Sequence, residues 1–124
     1  MRIMVVDNSS VSRSLFHNIL TRLNFNVMLK PTSIEAIEIC RKDDSYDVIF
    51  LDLNMPDITG LEFLQLYNSL KSFAKAKVIL TTSESNMVKV REGLRMGAAE
   101  YMLKPFSEED IVTKLKNIGA YVYE

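Results

Sequence analysis

The chain has 124 residues, which is enough for one domain that buries about two thirds of its unfolded surface and too few for a second. Its 15 basic and 16 acidic residues give a formal charge of -1, so nothing in the overall balance favours nucleic acid or an anionic membrane surface as a partner. The apolar runs are too short for a signal peptide or a membrane span, and one cysteine, Cys40, cannot form an internal disulfide or a cysteine zinc cluster. We therefore expect no direct nucleic acid binding and no membrane insertion, and a reducing cytoplasm suits the single thiol.

The first third of the chain alternates apolar runs with amphipathic stretches. Residues 1–6 predict a buried strand that ends on Asp7, and Ser10 is a candidate N-cap for a helix over about 11–23. The apolar residues of that helix recur at helical spacing, at Val11, Leu15, Phe16, Ile19, Leu20 and Leu23. A shorter strand follows at 25–29. Thr32 and Glu35 then stand at capping-box spacing before a second helix that ends near residue 41 and carries Cys40 as a small buried residue.

The third strand, 48–51, consists of four apolar residues followed directly by Asp52. A run without polar alternation is typical of a strand covered on both faces, as in a parallel sheet between helices. Aspartate is a poor strand residue and is rarely buried unpaired, so we expect Asp52 at the carboxyl end of the strand. A loop with Pro56 and Gly60 leads to a third helix over 61–70.

The last third repeats the alternation twice more. A strand at 77–80 ends on hydroxyl residues that include Thr82, and a helix over 88–96 stops at Gly97. A short strand at 101–103 ends on Lys104, and a capping pair at 107 and 110 begins a last helix that extends to 122.

Five strand–helix alternations predict one α/β domain spanning 1–124, in which a five-stranded parallel sheet lies between two layers of helices. We expect the flavodoxin-like strand order 2-1-3-4-5, which places the first and third strands side by side at the point where a cleft opens. The residues that follow the strands then share one rim of the sheet: Asp7, Asn8, Asp52, Thr82 and Lys104.

This set of residues suits phosphoryl transfer to Asp52. An ionised aspartate can attack phosphorus, but it repels the incoming phosphoryl oxygens. Mg²⁺ held by Asp7, Asn8 and Asp52 would offset that charge. Lys104 can pair with Asp52 and then with a phosphoryl oxygen, while the Thr82 hydroxyl donates to another.

Four segments, VVDN at 5–8, LDLNMPDITG at 51–60, TTSE at 81–84 and YMLKPF at 101–106, carry a resemblance to a known family. In their order and approximate spacing the chain resembles the receiver domains of bacterial two-component response regulators, especially the single-domain chemotaxis (CheY) type. The resemblance covers essentially the whole chain.

By this resemblance, a histidine kinase or phosphotransfer protein phosphorylates Asp52, and the backbone carbonyl of Asn54 helps hold the metal. Tyr101 resembles the aromatic residue that turns inward when Thr82 moves toward the phosphoryl group. That movement remodels the face formed by the fourth helix, fifth strand and fifth helix, which meets a downstream protein. Asn54 and Glu84 occupy positions that tune hydrolysis, and their identities imply a short-lived acyl phosphate.

Asn8 departs from the family pattern, which has a second acid there. Losing that charge costs on the order of 1–4 kcal/mol, equivalent to a several-fold to several hundred-fold weaker metal site. The resemblance also implies a module that catalyses only its own phosphorylation and hydrolysis, with no attached output domain. The single-domain format suggests chemotaxis.

Three other interpretations remain open at the level of sequence. The same fold can act as a phosphorylation-independent adaptor. An aspartyl phosphohydrolase is disfavoured because its second aspartate is replaced by Asn54. His17, the only histidine, can carry a phosphoryl group in principle, but it has no evident partner and is expected on the helix surface.

Overall fold

The computed structural model describes residues 1–70 and 75–120, and within them strands and helices alternate as predicted. The elements in chain order are β1 (Arg2–Val6), α1 (Ser10–Arg22), β2 (Asn26–Lys30), α2 (Ser33–Lys42), β3 (Val48–Asp52), α3 (Gly60–Asn68), β4 (Lys77–Thr82), a 3₁₀ turn (Glu84–Asn86), α4 (Met87–Arg95), β5 (Glu100–Leu103) and α5 (Glu108–Asn117).

All five strands are parallel and lie in the order β2-β1-β3-β4-β5, which confirms the predicted topology. The register pairs Val6 with Leu51, Asp52 with Thr81, and Thr82 with Leu103. The carboxyl ends of the four strands β1, β3, β4 and β5 therefore meet at one rim. The Lys104–Pro105 peptide bond, just beyond β5, is cis.

The sheet separates two apolar layers because alternate residues of each strand point to opposite faces. Ile3 and Val5 pack with α1 and α5, whereas Met4 and Val6 pack with α2, α3 and α4. Phe16 of α1 lies at the centre of the first layer. Its ring centroid is 4.9 Å from that of Phe50 and 4.5 Å from that of Phe106. The three-layer sandwich is thus built as the strand pattern predicts.

Two of the predicted apolar stripes are partly wrong. Val11 and Leu15 were expected to face the core, yet they are 78% and 39% exposed, because α1 buries Phe16, Ile19 and Leu20 instead. In α4, Val88 and Leu94 are 77% and 38% exposed, and the helix packs through Val90 and Gly93. A single apolar stripe cannot indicate how far a helix is rotated about its axis against a sheet.

Most predicted helix ends are confirmed, but the first cap is wrong. Ser9, and not Ser10, caps α1 by accepting a hydrogen bond from the Ser12 N–H. Its own N–H donates to Asp7 Oδ1 at 2.9 Å, which fixes Ser9 in the extended conformation that a cap requires. Thr32 and Ser107 cap α2 and α5 as expected. Gly97, with φ of +106°, follows α4 as predicted.

Two helices end earlier than the sequence pattern indicated. α3 ends at Asn68, so Leu70 lies in the following turn. α5 ends at Asn117 because Gly119 adopts a φ of +82°. The predicted extension of α5 to 122 includes residues that lie outside the described part of the chain.

Cys40 is buried in α2, as predicted, and burial, reinforced by the charge of Asp43, raises the pKa of its thiol to about 11. Across residues 1–70 and 75–120, no helix has the length and apolar character needed to cross a membrane.

Candidate functional site

Asp52 ends β3 at the rim of the sheet and is only 5% exposed. Its backbone pairs with Thr81 of β4, and Asp7 follows β1 directly with 1% exposure. The parallel arrangement therefore places two buried carboxylates at adjacent strand ends, as the sequence predicted. Buried carboxylates need partners to offset the loss of water, so their contacts define the chemistry of the site.

Lys104 provides the shared partner. Its Nζ donates to Asp7 Oδ2 at 2.8 Å and to Asp52 Oδ2 at 3.1 Å. Burial alone would lower the pKa of Lys104, but the hydrogen bond to Asp7 and the charges of Asp52 and Asp7 outweigh that effect and raise its pKa above the ordinary 10.5. The lysine is therefore a fixed positive charge between two negative ones, and the cluster of three side chains carries a net negative charge.

Both carboxylates are oriented by the same local turn. Asp7 Oδ1 accepts from the Ser9 N–H at 2.9 Å, and Asp52 Oδ1 accepts from the Asn54 N–H at 2.9 Å. Each side chain thus bonds the backbone two residues further on, as aspartates in turns commonly do. With Oδ1 fixed in this way, Oδ2 of each residue is left facing Lys104. Each carboxylate keeps lone pairs beyond these two contacts.

Arg13 also belongs to this region, although it was not predicted from the sequence. Its Nη1 donates to the Asp7 backbone carbonyl at 2.7 Å. The sequence contains a signal for this contact. A cation in the first turn of a helix interacts unfavourably with the helix dipole, so an arginine there is expected to have a specific hydrogen-bond acceptor. The contact ties the start of α1 to the end of β1, beside the buried Asp7.

The residues at this rim fit the Mg²⁺ that was predicted for it. In the described parts of the chain, no three His, Cys, Asp or Glu side chains cluster as a metal site. Mg²⁺, however, keeps several waters and is held by one or two carboxylates, which Asp7 and Asp52 provide. Asn8, which follows Asp7 and is exposed, and the backbone carbonyl of Asn54 are the further oxygen donors that the sequence predicts. Oxygen donors of this kind are the hard ligands that Mg²⁺ prefers.

Thr82 lies at the end of β4 and is 1% exposed. Its Oγ1 accepts a hydrogen bond from Asn86 Nδ2 at 2.8 Å, and its backbone carbonyl accepts from the Lys104 N–H at 2.8 Å. Thr82 is therefore joined through the backbone to the residue that bridges the two carboxylates. Asn86 was not predicted from the sequence as part of this region.

Tyr101 lies away from the carboxylates, on the outer strand β5, where it pairs with Leu80. Its ring is half-buried, and Lys114 Nζ of α5 lies 4.8 Å from the ring centroid. The side chain of Glu84 lies outside the described part of the chain, and its backbone begins the 3₁₀ turn before α4. His17 is exposed on α1, as predicted.

Asp57 was expected only to line or cap the loop after β3, but its side chain also contacts the start of α2. Its two oxygens accept from the N–H groups of Ser33 and Ile34, at 3.2 and 2.9 Å, at the start of α2. Ser33 Oγ returns a bond to the Ile58 carbonyl at 2.8 Å. Burial is the largest single effect and opposes ionisation, but several backbone N–H donors, including those of Ile34 and Ser33, together outweigh it and lower the pKa of Asp57 below its ordinary 3.8. The loop that follows Asp52 is thus anchored to α2.

Comparison with known proteins points to one family. A family model described as the response regulator receiver domain matches residues 3–116. A chemotaxis protein CheY homolog from Campylobacter jejuni is 31% identical over 119 residues, which cover 95% of this chain and 92% of the relative. Chemotaxis protein CheY1 from Helicobacter pylori is 31% identical over 117 residues, which cover 94% of each chain.

Solved structures show the same likeness. The chemotaxis response regulator CheY4 of Vibrio cholerae has a TM-score of 0.86 at 27% identity, with 94% of this chain and 97% of that chain covered. The receiver domain of sensor histidine kinase PA1611 from Pseudomonas aeruginosa, described with a magnesium ion coordinated in the active site cleft, has a TM-score of 0.83. It covers 95% of this chain and 97% of its own, and at 21% identity it supports the fold alone.

Proposed function

Because this chain belongs to the response regulator receiver domain family, we propose that it is a phosphoacceptor module in which Asp52 receives a phosphoryl group from a histidine kinase or phosphotransfer protein. The observation that carries the proposal is the position of Lys104, whose ammonium contacts both buried carboxylates at once. A receiver of this kind works in two-component signalling, by changing the protein surface that it presents.

Asp52 supplies the nucleophile. A carboxylate oxygen of Asp52 forms the new bond to phosphorus while the bond from phosphorus to the donor's leaving group, a histidine nitrogen in a kinase, breaks. The Asn54 N–H holds Asp52 Oδ1, so the carboxylate is already oriented before the donor arrives. Lys104 keeps its bond to Asp7 while its remaining protons turn from Asp52 to a phosphoryl oxygen. The positive charge of Lys104 thus offsets first the Asp52 carboxylate and then the phosphoryl group bound to it.

The ligands that would hold Mg²⁺ are the side-chain oxygens of Asp7, Asn8 and Asp52 and the Asn54 backbone carbonyl. When bound there, Mg²⁺ neutralises negative charge shared by the carboxylates and the phosphoryl group. Asn8 contributes an oxygen without a charge, so this chain binds the cation more weakly than a site with a third carboxylate. This neutral residue is the observation that favours the second candidate function, a receiver-like adaptor that acts without phosphorylation.

Phosphorylation is communicated to other proteins by a change in the surface that binds them. The Thr82 hydroxyl donates to a phosphoryl oxygen, and Tyr101 changes its position on the face formed by α4, β5 and α5, where a downstream protein binds. Asn54 and Glu84 set a short lifetime for the acyl phosphate, and the protein catalyses no reaction on outside substrates. The names of the Campylobacter and Helicobacter relatives favour chemotaxis as the pathway, in the cytoplasm.

The test is intact-mass spectrometry after incubation with Mg²⁺ and a small-molecule phosphodonor such as acetyl phosphate. We expect one added phosphoryl group on the wild type and none on Asp52→Ala. Asp57→Ala is the matched control, because it removes an aspartate from the same loop without touching the acceptor, and it should still be phosphorylated. A wild type that gains no phosphoryl group from several donors would favour the adaptor.

A further inference from the structure

The residue at the start of α4 uses its side chain on Thr82 and not on its own helix. Asn86 occupies the N-cap position of α4 with φ of −102° and ψ of 24°, and it makes no side-chain cap hydrogen bond. Its Nδ2 instead donates to Thr82 Oγ1 at 2.8 Å and approaches Ser83 Oγ at 3.5 Å. Asparagine is among the best N-cap residues, yet here its side chain makes no hydrogen bond to the first turn of α4.

The other α-helices are capped in the usual way. The side chains of Ser9, Thr32, Thr59 and Ser107 each accept from a backbone N–H three residues on, in α1, α2, α3 and α5. α4 also has no acidic residue in its first turn to compensate. The first turn of α4 is therefore less supported than those of its neighbours.

α4 is also packed through few residues. It buries Val90 and Gly93, Met87 packs against the core while only half-buried, and Val88 remains 77% exposed. Helices with few buried apolar contacts open at low free energy, and a capping bond then shifts their stability measurably. At this end of α4 only the half-buried Met87 packs against the core, so a capping bond at residue 86 should change the stability of the first turn measurably.

We propose that Asn86 couples Thr82 to α4 by exchanging one hydrogen bond for another. While Thr82 stays in its present position, the Asn86 carboxamide is held by the Thr82 hydroxyl and α4 is uncapped. When the hydroxyl moves away, the Asn86 backbone changes from its present ψ of 24° to the extended conformation of an N-cap, and its Oδ1 then accepts from the N–H of Val88 or Lys89. The first turn of α4 then becomes more stable.

The role of this exchange in signalling rests on the proposed function, in which Thr82 moves toward a phosphoryl group on Asp52. Asn86 is accordingly a positioning residue. It acts through Thr82 and has no part in the bond-forming step. The exchange itself needs no phosphoryl group, so it can be tested separately from phosphorylation.

The experiment is amide hydrogen exchange at Val88 and Lys89 in the full chain, without Mg²⁺ or a phosphodonor. Thr82→Val removes the hydroxyl at nearly constant shape, and Thr82→Ala is a second variant with the same purpose. Thr82→Ser is the matched control because it keeps the hydroxyl. We expect about fivefold slower exchange in Thr82→Val and Thr82→Ala, the effect of gaining one N-cap, and no change in Thr82→Ser.

The double variant Thr82→Val with Asn86→Ala identifies the residue responsible. Exchange there should match that of Asn86→Ala alone, because no carboxamide remains to cap α4. Unchanged exchange in both Thr82→Val and Thr82→Ala, or slower exchange that persists in the double variant, would overturn the coupling. A failure of Asp52 to accept a phosphoryl group would instead overturn the proposed function and leave these results unaffected.

Discussion

The Lys104 ammonium lies 3.1 Å from Oδ2 of Asp52, although 52 positions separate the two residues in the chain. Lys104 follows β5 at the edge of the sheet, whereas Asp52 ends β3 at its centre. The lysine thus crosses above the end of β4 to reach Asp52, and it meets Asp7 at the same time. One side chain therefore offsets the charge of both carboxylates, and it lies where it can bond an oxygen of a phosphoryl group on Asp52.

Replacing Lys104 by methionine should destabilise the metal-free protein by about 1–3 kcal/mol, because two buried carboxylates lose a charged hydrogen-bond donor. Urea unfolding at neutral pH measures this change. Adding Mg²⁺ should restore more stability to the variant than it adds to the wild type. Lys89→Met, at an exposed position of α4, is the control and should have little effect. Equal destabilisation by both variants would contradict the assigned role of Lys104.

Asn8→Asp should tighten Mg²⁺ binding from several-fold to several hundred-fold, since it adds a charge beside Asp7. Isothermal titration with Mg²⁺ measures the change. Asn8→Ala should weaken binding, because it removes an oxygen without adding charge. A titration that is the same for the wild type and Asn8→Asp would remove Asn8 from the metal site.

Gly60→Ala should destabilise the protein by about 1–3 kcal/mol and slow phosphorylation of Asp52. An added Cβ would lie 2.7 Å from the Leu53 Cα and 2.9 Å from the Asp52 carbonyl oxygen, so the backbone at the acceptor would have to move. Gly93→Ala is the matched control: its Cβ would meet Leu80 Cδ1 at 2.4 Å, a side-chain methyl group. Alanine also favours a helix interior by about 1 kcal/mol over glycine, so this variant should lose less stability and phosphorylate normally.

The main features of the site follow from strand pattern alone. Asp7, Asp52 and Lys104 each come directly after an apolar run, and a parallel sheet places such positions at one rim. The sequence alone therefore predicts that these three side chains lie together. The two carboxylate turns and the bridging lysine add detail to that prediction.

Other contacts depend on distances that no local pattern contains. Asp57 reaches the start of α2, 24 positions away in the chain, only because the loop after β3 packs against that helix. The exposure of Val11 depends on the rotation of α1 against the sheet. The bond from Asn86 to Thr82 replaces the capping bond that an asparagine at that position would otherwise be expected to make.

Asp57→Ala should cost about 1 kcal/mol of stability at neutral pH, as expected for the loss of a helix cap. The lowered pKa of Asp57 means that this stabilisation is fully present above 3.8 and is lost as the pH falls through the lower folded-state value. The stability difference between the wild type and Asp57→Ala, measured by urea unfolding, should therefore shrink in strong acid. A difference that stays constant with pH would contradict capping by the carboxylate.

The most direct test of the central claim is to locate the phosphoryl group by borohydride reduction after reaction with Mg²⁺ and acetyl phosphate. An aspartyl phosphate is an acyl phosphate, and its reduction converts the aspartate to homoserine, which peptide mass spectrometry assigns to one position. We predict homoserine at Asp52 and at neither Asp7 nor Asp57. Homoserine at another aspartate, a phosphoryl group on His17, or no modification under these conditions would contradict the assignment of Asp52 as the acceptor.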